Sequence, residues 1–494
     1  MGLAGVVLLA LGSVCLGAAA LRLAGCRVRS RLVQLGLSIA LGFTLTSLAL
    51  QLDLWLTGRV HFVPVVIVQA AATAFVLLSL ARERPRLAFA GRDLFLAPLL
   101  LLCLFVAFMG RALPFAGYDS KAIYGIKAKV FLYERTVGGP AFQDPDVVHY
   151  HGDYPLGLPL LMALAGWAAE GDPADPAGER PAASVREWVD RHDAVNAYMP
   201  LAALWIAGLI AVVAGRIRER TRGLFGALAL FVLALPVVVL FPWEGGGSWS
   251  LGGADVPLAL CLGAAALCAL EHRLEGRKGW LAAAALLAAG AVTLKKDALI
   301  GLALLPAALL LVHRPRGFAL GASAAIVLGL AAGLALGAAI AARTVGAPYD
   351  EDYLAALLAA DPAALLARVP LLARSIWGAL FERHMGFFWL LVVLVALPLG
   401  WRLGRETRAL ALWVALSLLA FAGVFLVTPD HVAWHVGTAL PRLWCQLVLP
   451  AALLVVEAAL ALYRPGGVEP SPASSSSSLV SPASSPASSA PFPA

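Results

Sequence analysis

The strongest constraint on this chain is a repeated pattern: apolar blocks of about 15–24 residues, separated by short connectors rich in arginine, recur along most of its length. A helix needs ~20 apolar residues to cross a hydrocarbon core, and in lipid only helices and closed barrels satisfy their own backbone polar groups. Of the 494 residues, 61% are hydrophobic and 14% charged, whereas soluble domains carry roughly 45–50% and about 25%. A soluble enzyme, a secreted disulfide scaffold and a disordered regulator are thereby excluded. The expected fold class is an all-α polytopic membrane protein.

The net charge of +7 is carried mainly by single arginines in short connectors, as the positive-inside rule requires, so no nucleic-acid partner is expected. Cys15, Cys26, Cys103, Cys261, Cys268 and Cys445 lie in or beside apolar blocks without CxxC spacing; they read as small hydrophobes in helices. Residues 2–20 resemble a signal sequence, and Leu23-Ala24-Gly25-Cys26 spells a lipoprotein cleavage box. Yet no Lys or Arg precedes the apolar run, while Arg22, Arg27, Arg29 and Arg31 follow it. That asymmetry points to an uncleaved span with its N-terminus outside.

Apolar blocks place spans near 3–21, 35–57, 62–81, 93–113, 195–214, 223–242, 255–271, 280–295, 297–312, 318–341, 386–401, 409–427 and 443–463. With the arginine-rich connectors 22–32, 82–92, 216–222, 272–278, 313–316 and 402–408 all facing the cytoplasm, about thirteen spans thread without conflict. Residues 154–169 are too short for another span and read as an interfacial or half-inserted outer helix. Three parts follow: residues 1–92 with three extra N-terminal helices, a membrane core at 93–463 with large outer loops at 114–194 and 342–385, and a tail at 464–494. Those loops are expected to carry interfacial helices. The Ser/Pro/Ala-rich tail cannot bury enough apolar surface to order itself and reads as disordered and cytoplasmic. No internal repeat is evident, which argues against a transporter of inverted halves.

Lysine usage singles out where chemistry could sit. Only six of the 37 basic residues are lysines, Lys121, Lys127, Lys129, Lys278, Lys295 and Lys296, and five fall on the expected outer face. Outer cations suit a bound anion such as a phosphate. Equally, Lys121, Lys127 and Lys129 could solvate an interfacial helix whose Ile123, Ile126, Val130 and Tyr133 face lipid. Asp119 in Gly117-Tyr118-Asp119-Ser120-Lys121 could cap a helix or act as a general base at the membrane surface. His149, His151 and Asp153 alternate before Tyr154-Pro155, a spacing that suits either a divalent-metal site or a hydrogen-bonded loop corner.

Further along, Gly245-Gly246-Gly247 lacks the Gly-Lys-Ser/Thr ending of a phosphate loop and reads as a connector. Asp255 enters an apolar helix in Gly253-Ala254-Asp255-Val256-Pro257, a functional position by default. Thr293-Leu294-Lys295-Lys296-Asp297 interrupts about thirty apolar residues; two shortened helices meeting in an outer-side turn avoid about 2.5–3.5 kcal/mol per buried charge. A polar cavity lined by that turn would explain why the break is charged. Asp350-Glu351-Asp352 matches an Asp-x-Asp that arises readily by chance. In Asp430-His431-Val432-Ala433-Trp434-His435, followed by Arg442, His431 and His435 would share a helix face, or Trp434 would anchor the segment at the membrane surface.

Taken in order, these segments resemble the integral-membrane glycosyltransferases of the GT-C superfamily, within it the group related to protein O-mannosyltransferases and lipid A aminoarabinose transferases. The resemblance rests on Asp119 after a span, KAIYGIKAK at 121–129, HGDYPLGLPLLMALAGW at 151–167, GGADVPLAL at 252–260, TLKKDALIGLALL at 293–305 and DHVAWHVGTALPRLWCQLVLP at 430–450. It covers about 93–463. Three spans precede the usual first core span, so the chain resembles an N-terminally extended member. The acidic pair after that span is Asp119-Ser120 here, leaving its second acidic position empty.

The resemblance implies transfer of a sugar from a polyprenyl-phosphate donor to a glycan, lipid or protein acceptor on the outer face of a multi-pass inner-membrane protein. Such chemistry needs a base on the acceptor hydroxyl and stabilisation of the departing lipid phosphate. Asp119 matches the family's catalytic Asp by position. Lys121, Lys127 and Lys296, with Arg442, are phosphate-binding candidates; Asp153 and Asp255 would align groups or hold a divalent metal. Tyr154, Asp297 and His435 complete the expected substrate-binding set, and no other cofactor is implied. A lipid-linked oligosaccharide polymerase or ligase, or a non-enzymatic lipid or solute transporter, is the alternative.

Overall fold

A computed structural model describes residues 2–28, 30–83, 123–139, 142, 154–171, 197–220, 253–313, 317–343, 358–381, 388–428 and 431–463. Asp119, Lys121, His149, His151, Asp153, Asp350-Glu351-Asp352, the blocks 93–113 and 223–242, and the tail lie outside the described residues. Among those described, every regular element is helical. In chain order they are α1 (Gly2–Leu23), α2 (Arg31–Thr57), α3 (Phe62–Glu83), α4 (Ile126–Glu134), α5 (Gly157–Glu170), α6 (Met199–Arg220), α7 (Asp255–Glu275) and α8 (Gly279–Leu294). There follow α9 (Ala298–His313), α10 (Gly317–Ala341), α11 (Pro362–Phe381), α12 (Phe388–Arg402), α13 (Arg405–Val427), α14 (Val432–Cys445) and α15 (Val448–Tyr463).

Seven helices, α1, α2, α3, α6, α7, α10 and α13, are long and apolar enough to cross a membrane, and α14 with α15 forms an eighth candidate bent by 63°. The apolar blocks at 280–295 and 297–312 become the 16-residue helices α8 and α9, each about 24 Å long at 1.5 Å per residue. They make a hairpin whose tip is Lys295-Lys296-Asp297.

Small residues let these helices approach closely, as membrane packing requires where no hydrophobic effect drives association. A Cβ on Gly17 would collide with the Ser38 carbonyl, and one on Gly42 with the Ser13 carbonyl, which locks α1 on α2. Gly329 and Gly333, four apart on α10, admit the backbone of α8 at Ala285 and Ala289 in the same way. A polar knot ties the first three helices: Gln69 Nε2 donates to Ser13 Oγ and Thr46 Oγ1, both at 3.0 Å. Nor does α2 stand apart from the rest. Its Gly36 meets α6 at Gly208 and Val212, and its Thr44 meets Gly290 of α8 and Cys261 of α7.

The described residues of the six arginine-rich connectors gather toward one end of the bundle. Arg22 pairs with Glu83 at 3.1 Å, Arg277 donates to the Gly25 carbonyl at 2.6 Å, and Arg216 pairs with Glu271 at 3.2 Å. Arg273 pairs with Glu406 and donates to His313 Nδ1 at 3.3 Å. Each expected connector therefore contributes a residue to this arginine end. The opposite end gathers Val60, whose N–H donates to the Arg135 carbonyl at 2.7 Å, and Arg368, which donates to the Thr428 carbonyl at 2.8 Å.

Two segments expected on the outer side pack against the bundle. In 154–169, α5 is enclosed by protein along Gly157–Gly166 and packs on α1, α2, α4 and α8; a helix apolar on all faces needs burial on all faces. In α4, Lys127 and Val130 are both buried, so the arrangement with lysines in water and Val130 in lipid does not hold.

Candidate functional site

Three interruptions of the apolar helices meet at one level: the start of α7, the α8–α9 tip and the α14–α15 break. Thr44 of α2 meets Gly290 of α8. Beyond that level α2 runs on for about 20 Å and α8 for about 6 Å, given 1.5 Å per residue. The tip therefore stops well short of the bundle's rim, with Lys295 buried, Asp297 partly buried and Lys296 exposed.

Asp255 opens α7 and is buried. Lys295 caps the C-terminus of α8 in an extended conformation, φ −158° and ψ 137°, which swings its side chain back into the bundle. Its Nζ lies 2.8 Å from Asp255 Oδ1 and 2.8 Å from Asp297 Oδ2. The Asp297 carbonyl accepts the first helical bonds of α9, from Ile300 and Gly301, so Asp297 stands at the N-cap position. Arg442, in the last turn of α14, reaches Asp255 Oδ2 through Nε at 3.4 Å. Gln446, in the break itself, donates from Nε2 to Asp255 Oδ1 at 2.8 Å and to Asp297 Oδ2 at 3.0 Å.

Each charge also suits the helix end it occupies. Asp255 and Asp297 stand at positive N-termini, and Lys295 and Arg442 at negative C-termini. Two carboxylates, one ammonium and one guanidinium sum to zero, so the cluster is neutralised from within. That balance lets four ionisable groups sit inside an apolar bundle at all, because removing one partner of a buried pair costs about 3–5 kcal/mol.

Of the sequence-derived candidates, Asp255, Asp297 and Arg442 are brought together here. Lys296 is exposed on the tip, whereas its neighbour Lys295 is the buried cation. Lys127 is buried beside Tyr154, its Nζ 5.9 Å from the ring centroid, and Tyr154 lies 6.3 Å from Tyr124 by ring centroids. This aromatic group belongs to the neighbouring α4–α5 layer: Gly157, three residues after Tyr154, abuts the Thr293 carbonyl beside the tip. His435 stands apart, with Nδ1 2.6 Å from Thr428 Oγ1 and its ring edge-on to Phe425 at 5.0 Å. It lies seven residues, roughly 10 Å of helix, from Arg442. His431 precedes α14 and is exposed; Trp434 is exposed too, in keeping with a surface anchor.

Sequence reasoning placed Lys295 in the polar turn but chose Lys296 as the phosphate-binding cation, and it did not select Gln446. For Gln446 a signal existed: one amide inside the apolar run Leu443–Pro450. Among the described residues no group of three His, Cys, Asp or Glu side chains could hold a metal, and His151 and Asp153 lie outside them. No protein-family model, curated protein or solved structure matches this chain.

Proposed function

We propose that this chain is an integral-membrane glycosyltransferase that moves a sugar from a polyprenyl-phosphate donor to an acceptor at the outer face of the inner membrane. The observation carrying this reading is the buried Asp255–Lys295–Asp297–Arg442–Gln446 cluster at the end opposite the arginine connectors. Ionisable groups held inside a membrane bundle mark a functional site by default. Their segregation to one end suits chemistry at one face better than a path through both.

In this reading the chain has about thirteen spans, an outer N-terminus and a cytoplasmic C-terminus. Asp119 is the general base that takes the acceptor hydroxyl proton. Lys121, Lys127 and Lys296 meet the donor phosphate, and Asp255 with Arg442 holds the frame around it. A divalent ion at Asp153 remains part of the proposal as an aid to the departing phosphate.

The test is transfer in membranes containing the full chain, with a radiolabelled polyprenyl-phosphate sugar and an acceptor extract. Label should become covalently attached to acceptor. Asp119→Asn should insert normally, since Asn caps helices about as well as Asp, and lose roughly 10²–10⁴-fold in rate. A ladder of lengthening glycan would instead identify a polymerase. Label that crosses the bilayer unchanged would identify a transporter and sink the transferase reading.

A further inference from the structure

The charged cluster leaves acceptors open. Lys295 Nζ and Gln446 Nε2 both bridge the same two oxygens, Asp255 Oδ1 and Asp297 Oδ2. Two donors and two acceptors thus close a ring. On Asp297 both contacts fall on Oδ2, although a carboxylate offers about four acceptor sites over its two oxygens. Oδ1 remains open, and at 28% exposure the side chain is within a ligand's reach. Gln446 is fully buried, and its Oε1, attached to the same amide carbon as the ring nitrogen, accepts no hydrogen bond. A buried acceptor left unmet is costly, so it calls for a donor.

An anion would find little welcome at these atoms. Lys295 is committed to two carboxylates, and a phosphate brought against Asp297 would face a like charge. Groups that donate hydrogen bonds and carry no negative charge match the chemistry of both oxygens, of which Asp297 Oδ1 belongs to the partly exposed side chain and Gln446 Oε1 to the buried one. A sugar ring presents several such hydroxyls.

We infer that Asp297 and Gln446 form the hydroxyl-reading edge of the substrate site: Asp297 Oδ1 accepts from a sugar hydroxyl, while Gln446 holds that carboxylate in place and offers the second acceptor. This rests on the glycosyltransferase reading and adds a division of labour to it. The donor's phosphate is met by the cations, Lys296 of the tip among them, and Asp297 with Gln446 selects the sugar.

The experiment uses the full chain in lipid nanodiscs. Hexyl glycosides of glucose, mannose and galactose serve as neutral probes and farnesyl phosphate as an anion without hydroxyls, each titrated by ligand-induced thermal shift. At least one glycoside should bind. In Asp297→Asn the amide oxygen stays toward Lys295 and Gln446, turning an NH₂ outward where an acceptor had been. Glycoside binding should then weaken roughly 10- to 100-fold, the worth of a charged hydrogen bond. Farnesyl phosphate binding should stay within about twofold. Gln446→Leu, checked for folding by size-exclusion profile, should weaken the glycoside in the same direction.

Equal glycoside binding by Asp297→Asn, loss of farnesyl phosphate binding alone, or no glycoside binding by the unmodified chain would each overturn the inference. Asp297-dependent glycoside binding without label transfer would keep the hydroxyl site and discard the transferase. Transfer with an indifferent Asp297 would do the reverse.

Discussion

At the arginine end of the bundle, charged side chains sit in or beside connectors and meet in ion pairs, the outermost of them open to water; at the break end, they sit where helices stop early, and the central Lys295–Asp255 pair is sealed in protein. Arg22 and Glu83 are 22% and 59% exposed, whereas Lys295 and Asp255 are 4% each. Water pays the desolvation cost at the first end, so those pairs are individually weak and the cations serve mainly to fix topology. At the second end Lys295 and Asp255 have almost no access to water, and each must find its opposite within the fold. The comparison teaches that charge content alone does not mark a site. What marks it is charge that the chain had to break three helices to accommodate.

The largest expected effect lies at the break. Lys295→Met leaves Asp255 and Asp297 facing each other with no ammonium between them and should cost about 3–5 kcal/mol. Lys296→Met, one residue on, should stay within about 0.5 kcal/mol. Denaturant titration of both variants in micelles measures the gap; equal losses would erase the distinction between the two lysines.

An intermediate effect is expected where the arginine end is partly covered. Arg216 is 13% exposed and gathers Glu219, Glu271 and Glu457, at 2.8, 3.2 and 3.8 Å. Arg216→Ala should cost roughly 1.5–3 kcal/mol, the range for hydrogen bonds to charged groups. A loss as large as that of Lys295→Met would mean that this end too is a sealed site.

The smallest effect belongs to Arg22→Ala, at about 0–1 kcal/mol and fading as salt rises. Topology sharpens the contrast without any stability change. Cysteine at 296 and cysteine at 277 should react with an impermeant thiol reagent from opposite sides of sealed vesicles. Labelling of both from one side would contradict the separation of the two ends.

Much of this architecture was legible in the chain. The block at 35–57 became α2, 62–81 became α3 and 409–427 lies within α13, because transfer free energy accumulates along a helix whatever its neighbours are. The interruption at Lys295-Lys296-Asp297 was equally plain, since three ionisable residues cannot sit at mid-bilayer without a turn. Hydropathy could not choose between the two lysines. They are alike in every one-dimensional property, and the choice rests on Lys295 ending α8 in extended backbone. Gln446 was hidden for a related reason: its value comes from two carboxylates 191 and 149 residues away in sequence.

The sequence by itself determined that the chain is a helical membrane protein, where most of its described helices begin and end, and which connectors share an end. Those are consequences of solvation, which each residue meets largely on its own. Only the tertiary structure decided that α5 is enclosed by other helices, that Lys127 is buried, that Lys295 bridges two aspartates and that Gln446 joins them. Those depend on which side chains face one another across helices, and a pairwise contact has no signature in either partner alone.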